Sequence, residues 1–510
     1  MSPVRAERGL PRFIQPIGPM NSALVRLNAT SRSIPALLSS LAGCLIFFMG
    51  SVLATAIDET RTEDTVLTRI AFGSCADQHR PCPIWQTIDE YQPGLLLLLG
   101  DTVYADILDG RLTPATPSRI QQAYDQLARD PGFARLRERV PMLGTWDDHD
   151  FGNNDAGFEW EHKAASARIF HDFFGTPSDS PLRQQAGIYQ SRIFGPIGQR
   201  VQVIMLDTRY FRSSLTKSRE RLPGFTAFPY QPQTGPGATV LGNTQWDWLE
   251  QQLGKPAEIR LLASSIQVLS NEHPFEKWGN FPEERTRLFE LIRKTGASGL
   301  LILSGDRHLG DISVCEQSID YPLYDITASG FNQARQSWRV NEPNAYRVAG
   351  LPYGNHFGAI EIDWSQKPPR LKLQLRHEDG EIAVQAQIDL DKLQAPLPPA
   401  AIPAGVLDPQ GALQAEISEP VTVQFRVLSG REIGNMERIY LNSEKDFQNS
   451  GNFAVVMMGQ ALKDRWEGAG LRSFLNRTIQ VSGKISLSNQ RKQLIVSEPD
   501  QIRIVPEEKN

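Results

Sequence analysis

The chain has 510 residues, a formal net charge of −5 and an ordinary globular composition, 40% hydrophobic and 22% charged. That length argues for more than one domain, and a core of that size needs no disulfide staples. The charge balance shows no basic excess for nucleic acid and no acidic tail, and four cysteines (Cys44, Cys75, Cys82, Cys315) are too few for a disulfide framework.

A leader comes first. Arg5, Arg8, Arg12, Arg26 and Arg32 precede an apolar run over 34–56 that closes Ala54-Thr55-Ala56, a small-x-small pattern suited to signal peptidase. Residues 1–56 read as a signal peptide, or as an N-terminal membrane anchor if they stay uncleaved, because the run is about long enough to span a bilayer. The expected location is outside the cytoplasm: periplasmic, extracellular or cell-surface. Leu41-Ala42-Gly43-Cys44 resembles a lipoprotein box, but the apolar residues after Cys44 argue against it, and no twin-arginine pair precedes the run.

From 66 to 393, strands and helices alternate, which argues an α/β domain. Four short apolar runs bounded by Gly or Ser read as buried strands. Residues 69–73 run into Ser74-Cys75, and 95–99 into Gly100-Asp101-Thr102-Val103-Tyr104. Residues 201–206 run into Asp207-Thr208-Arg209, and 300–303 into Ser304-Gly305-Asp306-Arg307-His308. Helices are predicted over 84–91, 117–139, 163–174, 244–253 with Thr244 as cap, and 282–295. The Gly- and Pro-rich loop 213–242 is long enough to be a functional cover. Residues 394–410 form a Pro/Ala-rich linker. Beyond it, 411–506 alternates short apolar and polar runs (421–427, 453–458, 479–481, 484–485, 493–496), which predicts a small all-β barrel with one helix near 461–466.

Open α/β sheets place ligands at the carboxyl ends of their strands. Cys, Asp, Tyr and His delivered there repeatedly point to one shared site, and their types point to metal. Asp101 can bridge two cations with its two oxygens, and Tyr104 can add a phenolate to a trivalent ion; the plainer alternative is a helix-capping Asp beside a packed Tyr. In Trp146-Asp147-Asp148-His149-Asp150-Phe151-Gly152-Asn153-Asn154-Asp155, three carboxylates surround His149. Such a concentration of like charge is costly unless cations neutralise it, and oxygen donors suit hard ions such as calcium. His149 then serves as a general acid or polarises a phosphate. Asp306 and His308, two apart on an extended segment, face one side. Asp207 and Arg209 share that spacing; Arg209 is either a bidentate phosphate clamp or the partner of Asp207 in a salt bridge. Cys75 reads as a thiolate ligand in preference to a bridge with Cys82.

Five ordered motifs then carry a resemblance: Phe72-Gly73-Ser74-Cys75, Gly100-Asp101-x-x-Tyr104-x-Asp106, Trp146-Asp147-Asp148-His149-Asp150, Leu206-Asp207-x-Arg209 and Ser304-Gly305-Asp306-x-His308. Together they resemble the PhoD (alkaline phosphatase D) family of metallophosphoesterases, and residues 243–249 and 355–363 agree with it. The resemblance implies a metallophosphoesterase-type β-sandwich flanked by helices, holding Fe3+ and Ca2+. Cys75, Asp101, Tyr104 and His308 would gather around iron, with Asp101 bridging to a second metal held by Asp148 and Asp306. Asn154, or Asn153 beside it, would add a ligand. His149 would be the catalytic histidine, and Arg209, next to Asp207, would contact the phosphate. The implied activity is hydrolysis of small phosphate esters by metal-activated water, as a phosphodiesterase or alkaline phosphatase. The alternatives are a phospholipase D-like headgroup hydrolase, or a non-catalytic binding protein that uses the barrel. His356 stands where the family often has Asn. The C-terminal part resembles an oligonucleotide/oligosaccharide-binding (OB) barrel in residues 479–485 and 495–502. Lys484, Arg491 and Lys492 there can contact nucleic acid or glycan, although few aromatics for stacking favour a structural appendage.

Overall fold

The structure, a computed structural model, describes residues 64–335, 342–351, 353–394, 402–433, 438–458 and 471–505. It divides into two compact units, Met1–Ala395 and Pro396–Asn510. The predicted leader, residues 395–401 of the linker and the predicted helix at 461–466 lie outside the described residues. Among the described residues no helix is long and apolar enough to cross a membrane.

The first unit runs β1 (Arg69–Gly73), α1 (Ile84–Tyr91), β2 (Leu95–Leu99), the small hairpin β3 (Ile107–Leu108) and β4 (Arg111–Leu112), α2 (Pro117–Ala128), α3 (Pro131–Arg139), β5 (Met142–Thr145), α4 (Asp148–Phe151) and α5 (Lys163–Phe173). It continues β6 (Gln190–Phe194), β7 (Val201–Met205), α6 (Gly242–Leu253), β8 (Ile259–Ser264), α7 (Pro282–Thr295), β9 (Leu300–Ser304), β10 (Gly310–Cys315), β11 (Leu323–Ala328), β12 (Arg347–Leu351), β13 (His356–Asp363), β14 (Arg370–His377) and β15 (Ile382–Asp389). Two mixed sheets result, in the orders β15-β14-β13-β1-β2-β5 and β12-β10-β11-β9-β8-β7-β6. The central strands are parallel: β1, β2 and β5 in one sheet, β7, β8, β9 and β11 in the other.

Side-chain alternation explains the layering. Leu95, Leu97 and Leu99 share a core with Val203, Leu261 and Leu301 of the other sheet. Leu96 and Leu98 turn the opposite way, into a second core with Trp85, Tyr124, Phe133 and Phe170 of the helices. Both faces of β2 are thus covered, as its unbroken leucine run demands, and each fully buried leucine contributes about 1.5–3 kcal/mol.

Two predicted helices change at their ends. The span 117–139 is two helices, because Asp130 accepts from the Gly132 and Phe133 amides at 2.9 Å and Pro131 occupies the first turn of α3. Helix α6 starts at Gly242 rather than at a Thr244 cap: Thr239 Oγ1 accepts from the Gly242 amide at 2.8 Å, and Glu284 accepts from the Val240 amide at 2.9 Å. Cys75, Cys82 and Cys315 are free thiols.

The second unit holds α8 (Pro409–Gln414), β16 (Pro420–Arg426), β17 (Ser429–Ile433), β18 (Arg438–Asn442), β19 (Ala454–Met458), β20 (Thr478–Ser488), β21 (Arg491–Val496) and β22 (Ile502–Ile504). Its strand order is β16-β20-β21-β19-β18-β17, with β22 against β20, and β19–β21 is its parallel pair. The predicted runs 479–481 and 484–485 belong to one strand, β20. Val423, Ile439, Val455, Ile479 and Leu494 fill its core.

Candidate metal centre

The chemistry-bearing residues sit where parallel strands end. Cys75 follows β1, Asp101 and Tyr104 follow β2, Asp147 to Asp150 follow β5, and Asp306 and His308 follow β9. Cys75 (φ 65°), Asp101 (φ 48°), Asp306 (φ 67°) and His308 (φ 56°) all adopt the left-handed region. Non-glycine residues there cost of order 1–3 kcal/mol each and persist only where their surroundings over-determine them. The backbone supplies that restraint. The Ala76 amide donates to Asp101 O at 2.8 Å, Ser74 N to Ala328 O at 3.0 Å, and His308 N to Ser329 Oγ at 2.7 Å.

These turns bring the side chains together. Cys75 Sγ lies 3.4 Å from Asp101 Oδ2, and Tyr104 OH lies 3.3 Å from the same oxygen and 3.1 Å from His308 Nε2. The other oxygen, Asp101 Oδ1, accepts from the His149 amide at 3.4 Å. One ligand atom each from Cys75, Asp101 and His308 lie within 4.8 Å of one another, and the same holds for Asp101, Asp148 and His149. Asp101 belongs to both groups. The Tyr104 and His149 rings stack at 4.2 Å between centroids.

The electrostatics fit a cation. Burial, opposed by His149 and reinforced by Asp148, Asp147 and Asp150, pushes Asp101 well above the usual carboxylate range. Burial and then Asp101 push the Cys75 thiol up, and burial, Cys75 and Asp101 do the same to Tyr104. Burial, Arg307 and Arg335 push His308 down to about 3, so it presents a neutral imidazole. Burial also opposes charge on His149, but Asp148, Asp101 and Asp106 hold it well above its ordinary value. Asp148 Oδ1 and Asp306 Oδ2 are buried without a hydrogen-bond partner among the described residues, Asp148 Oδ1 having Arg209 Nη2 at 3.9 Å and Asp306 Oδ2 having Arg307 Nη1 at 3.5 Å. Buried thiol, phenol, carboxylates and neutral imidazole with orphaned oxygens are a donor set that suits bound metal.

The PhoD-like phosphatase family model matches residues 70–325. The chain belongs to the PhoD-like phosphatase family. Alkaline phosphatase D of Bacillus subtilis (strain 168) is 24% identical over 203 residues, which cover 36% of this chain and 33% of that protein; the chain thus aligns with about a third of this relative's length. A solved structure titled "Structure of PhoD" is similar in fold, with a TM-score of 0.52 and 16% identity over 65% of this chain and 72% of that one. The C-terminal unit lies beyond the matched residues.

In this member of the PhoD-like phosphatase family, Cys75, Asp101, Tyr104, Asp148, His149 and His308 come together, and Asp306 lies within electrostatic reach of Cys75, Asp147 and Asp148. Asn154 lies half-buried in the turn after α4, and among the described residues no hydrogen bond joins its side chain to the cluster. Asp207 and Arg209 lie behind the cluster. Asp207 is saturated: Oδ1 accepts from Trp146 Nε1 at 2.8 Å and from the Arg209 and Tyr210 amides at 2.9 Å, and Oδ2 from Ile188 N at 3.0 Å. The alternative of a side-chain salt bridge between Asp207 and Arg209 is corrected. The Arg209 guanidinium instead binds Asp147 through Nε at 2.7 Å and also through Nη2, and binds Glu276 through Nη1 at 2.6 Å. With its side chain 0% exposed, it keeps no face for a phosphate in this arrangement.

Several supporting residues escaped sequence reasoning. Asp106 Oδ1 lies 2.6 Å from His149 Nδ1 and stood unassigned inside the Gly-Asp-x-x-Tyr-x-Asp motif. Ser329 bonds both Cys75 Sγ, at 3.1 Å, and the His308 amide, and follows β11, which no motif marks. His356 is buried with Nδ1 3.0 Å from Gly354 O, and burial pushes it down to about 4, so it packs as a neutral ring.

Proposed function

We propose that this chain is an exported, metal-dependent phosphoesterase acting on small phosphate esters. One observation carries the reading: Asp101 belongs to two groups of potential ligands, one with Cys75 and His308 and one with Asp148 and His149. The thiol, phenol and imidazole of Cys75, Tyr104 and His308 suit Fe3+, and the oxygen donors Asp148 and Asp306 suit Ca2+, with Asn154 as a further candidate. Bound ions of this kind supply Lewis-acid charge that lowers the pKa of water and offsets the charge of a phosphate.

The chain's own groups do the rest. Asp106 engages Nδ1 of His149, which leaves Nε2 to give a proton to the departing alkoxide. The carboxylates around His149 favour the protonated form that this task needs. Arg209 and Asp207 act as positioning residues, because Arg209 fixes Asp147, beside Asp148, and Asp207 fixes Trp146 and the Arg209 backbone.

Export rests on the basic, apolar and small-x-small pattern of residues 1–56. The two sheets that share one core support a metallophosphoesterase-type sandwich. In the second unit β16 and β17 lie at opposite ends of the strand order yet are separated by two residues, Val427 and Leu428, so one bent segment can close an OB-like barrel. That barrel is read as a structural appendage, and nucleic acid or glycan contact through Lys484, Arg491 and Lys492 is not favoured.

The test is hydrolysis of bis-nitrophenyl and mono-nitrophenyl phosphate by the purified chain. Activity should vanish with a chelator and fall by about 1,000-fold or more in Asp101→Asn, since both ligand groups lose a member. Undiminished activity in either case contradicts the assignment.

A further inference from the structure

We infer that Tyr230 is a positioning residue for the second ion, clamping the Asp155 turn whose backbone N–H seats Asp148. The inference rests on the two-ion reading above. Asp148 Oδ2 accepts from the Asp155 amide at 2.8 Å, while Oδ1 is the buried oxygen left without a hydrogen-bond partner among the described residues. The Asp155 amide therefore fixes Oδ2 and leaves Oδ1 as the oxygen available to an ion, with Arg209 Nη2 3.9 Å from it. Asp155 makes this bond from a left-handed conformation, φ 54°, which relaxes unless something holds it.

Two side chains hold it. Arg212, fully buried, donates through Nη2 to Asp155 O at 2.5 Å and sets Nε 2.9 Å from Glu276 Oε1. Tyr230 donates its phenol proton to Asp155 Oδ2. Burial and then the Asp155 charge keep that phenol protonated, so it remains a donor.

Tyr230 is itself well anchored in the loop 213–242. Its amide donates to Pro274 O at 3.3 Å, and it pairs with Lys217 as an antiparallel bridge. Flanking bonds join Gln231 N to Thr216 O at 2.8 Å and Ser218 N to Pro229 O at 2.7 Å. The long loop thus carries a rigid hydroxyl to the back of the Asp148 group. Among the described residues no hydrogen bond links it directly to Cys75, Tyr104 or His308, so its influence is selective for one of the two ligand groups.

The experiment is equilibrium dialysis of the iron-loaded full chain against calcium, for wild type, Tyr230→Phe and Asp155→Asn. Outer partners of metal ligands typically set 10- to 100-fold of affinity. Tyr230→Phe should bind calcium about 10-fold or more weakly, with iron content and visible spectrum unchanged, and excess calcium should restore its activity. Asp155→Asn keeps a side chain that tolerates the left-handed turn but accepts more weakly. It should show a smaller loss in the same direction, and it covers the case in which Tyr230→Phe misfolds. Calcium affinity within twofold of wild type in both variants overturns the inference, as does equal loss of iron and calcium. A wild-type chain that takes up iron but no calcium overturns the two-ion reading itself, and that outcome is visible before any variant is made.

Discussion

Asp106 Oδ1 lies 2.6 Å from Nδ1 of His149, and that contact fixes which ring nitrogen the histidine offers to a substrate. Asp106 is also one of three carboxylates that raise the His149 pKa against burial. Asp106→Asn should therefore lower kcat about 10- to 100-fold with little change in KM. If His149 gives its proton to the leaving group, activity falls as pH rises through its pKa. Removing Asp106 lowers that pKa, so this limb of the pH–rate profile should shift to lower pH. An unchanged profile would exclude Asp106 as its partner.

Arg209 is expected to matter for stability before it matters for chemistry. Burial pushes Asp147 up to about 6 and Glu276 up to about 7 even with Arg209 beside both. Arg209→Ala removes their shared partner and strands buried carboxylates, a loss of about 3–5 kcal/mol. Urea unfolding measures it. A variant of native stability with only a raised KM would instead mark Arg209 as a phosphate clamp.

Acid stability should depend on His171, on α5. Burial and then Arg183 push its pKa from 6.5 down to about 4, and Nε2 is buried without a hydrogen-bond partner among the described residues. A histidine with a depressed folded pKa takes up its proton on unfolding, so its contribution is full above about 6.5 and is lost as pH falls toward 4. Between pH 7 and pH 5 wild type should lose about 2 kcal/mol more than His171→Gln. Equal losses would show that His171 is not the titrating group.

Tyr104→Phe should fold and keep Asp101 in place, because its ring packing on His149 survives. If its phenol binds ferric iron, the variant loses the visible absorption band of the wild type and binds iron more weakly. An unchanged band would remove Tyr104 from the iron group.

The site was legible in the sequence where an apolar run ended abruptly in a ligand-type residue. Cys75, Asp101, Asp306 and His308 each follow a strand whose interior positions are all apolar, so the pattern gave both the strand and its exit. Partners chosen by the tertiary fold were not legible. Glu276 reaches Arg209 across 67 positions, and Ser329 reaches Cys75 across 254, with no local pattern to announce either. Arg209 misled because Asp-x-Arg spacing says nothing about desolvation, and burial turned a candidate clamp into a bridge between two carboxylates. The break between α2 and α3 was legible in Asp130-Pro131, where apolar periodicity alone ran on through the boundary.

On the proposed reading, Asp101 joins two ion sites. Elemental analysis of the purified chain, wild type beside Asp101→Asn, tests it most directly. Iron together with a divalent ion is expected in the wild type, and a deficit of both in the variant. Full retention of both ions by Asp101→Asn, or an active wild type that contains neither, would contradict it.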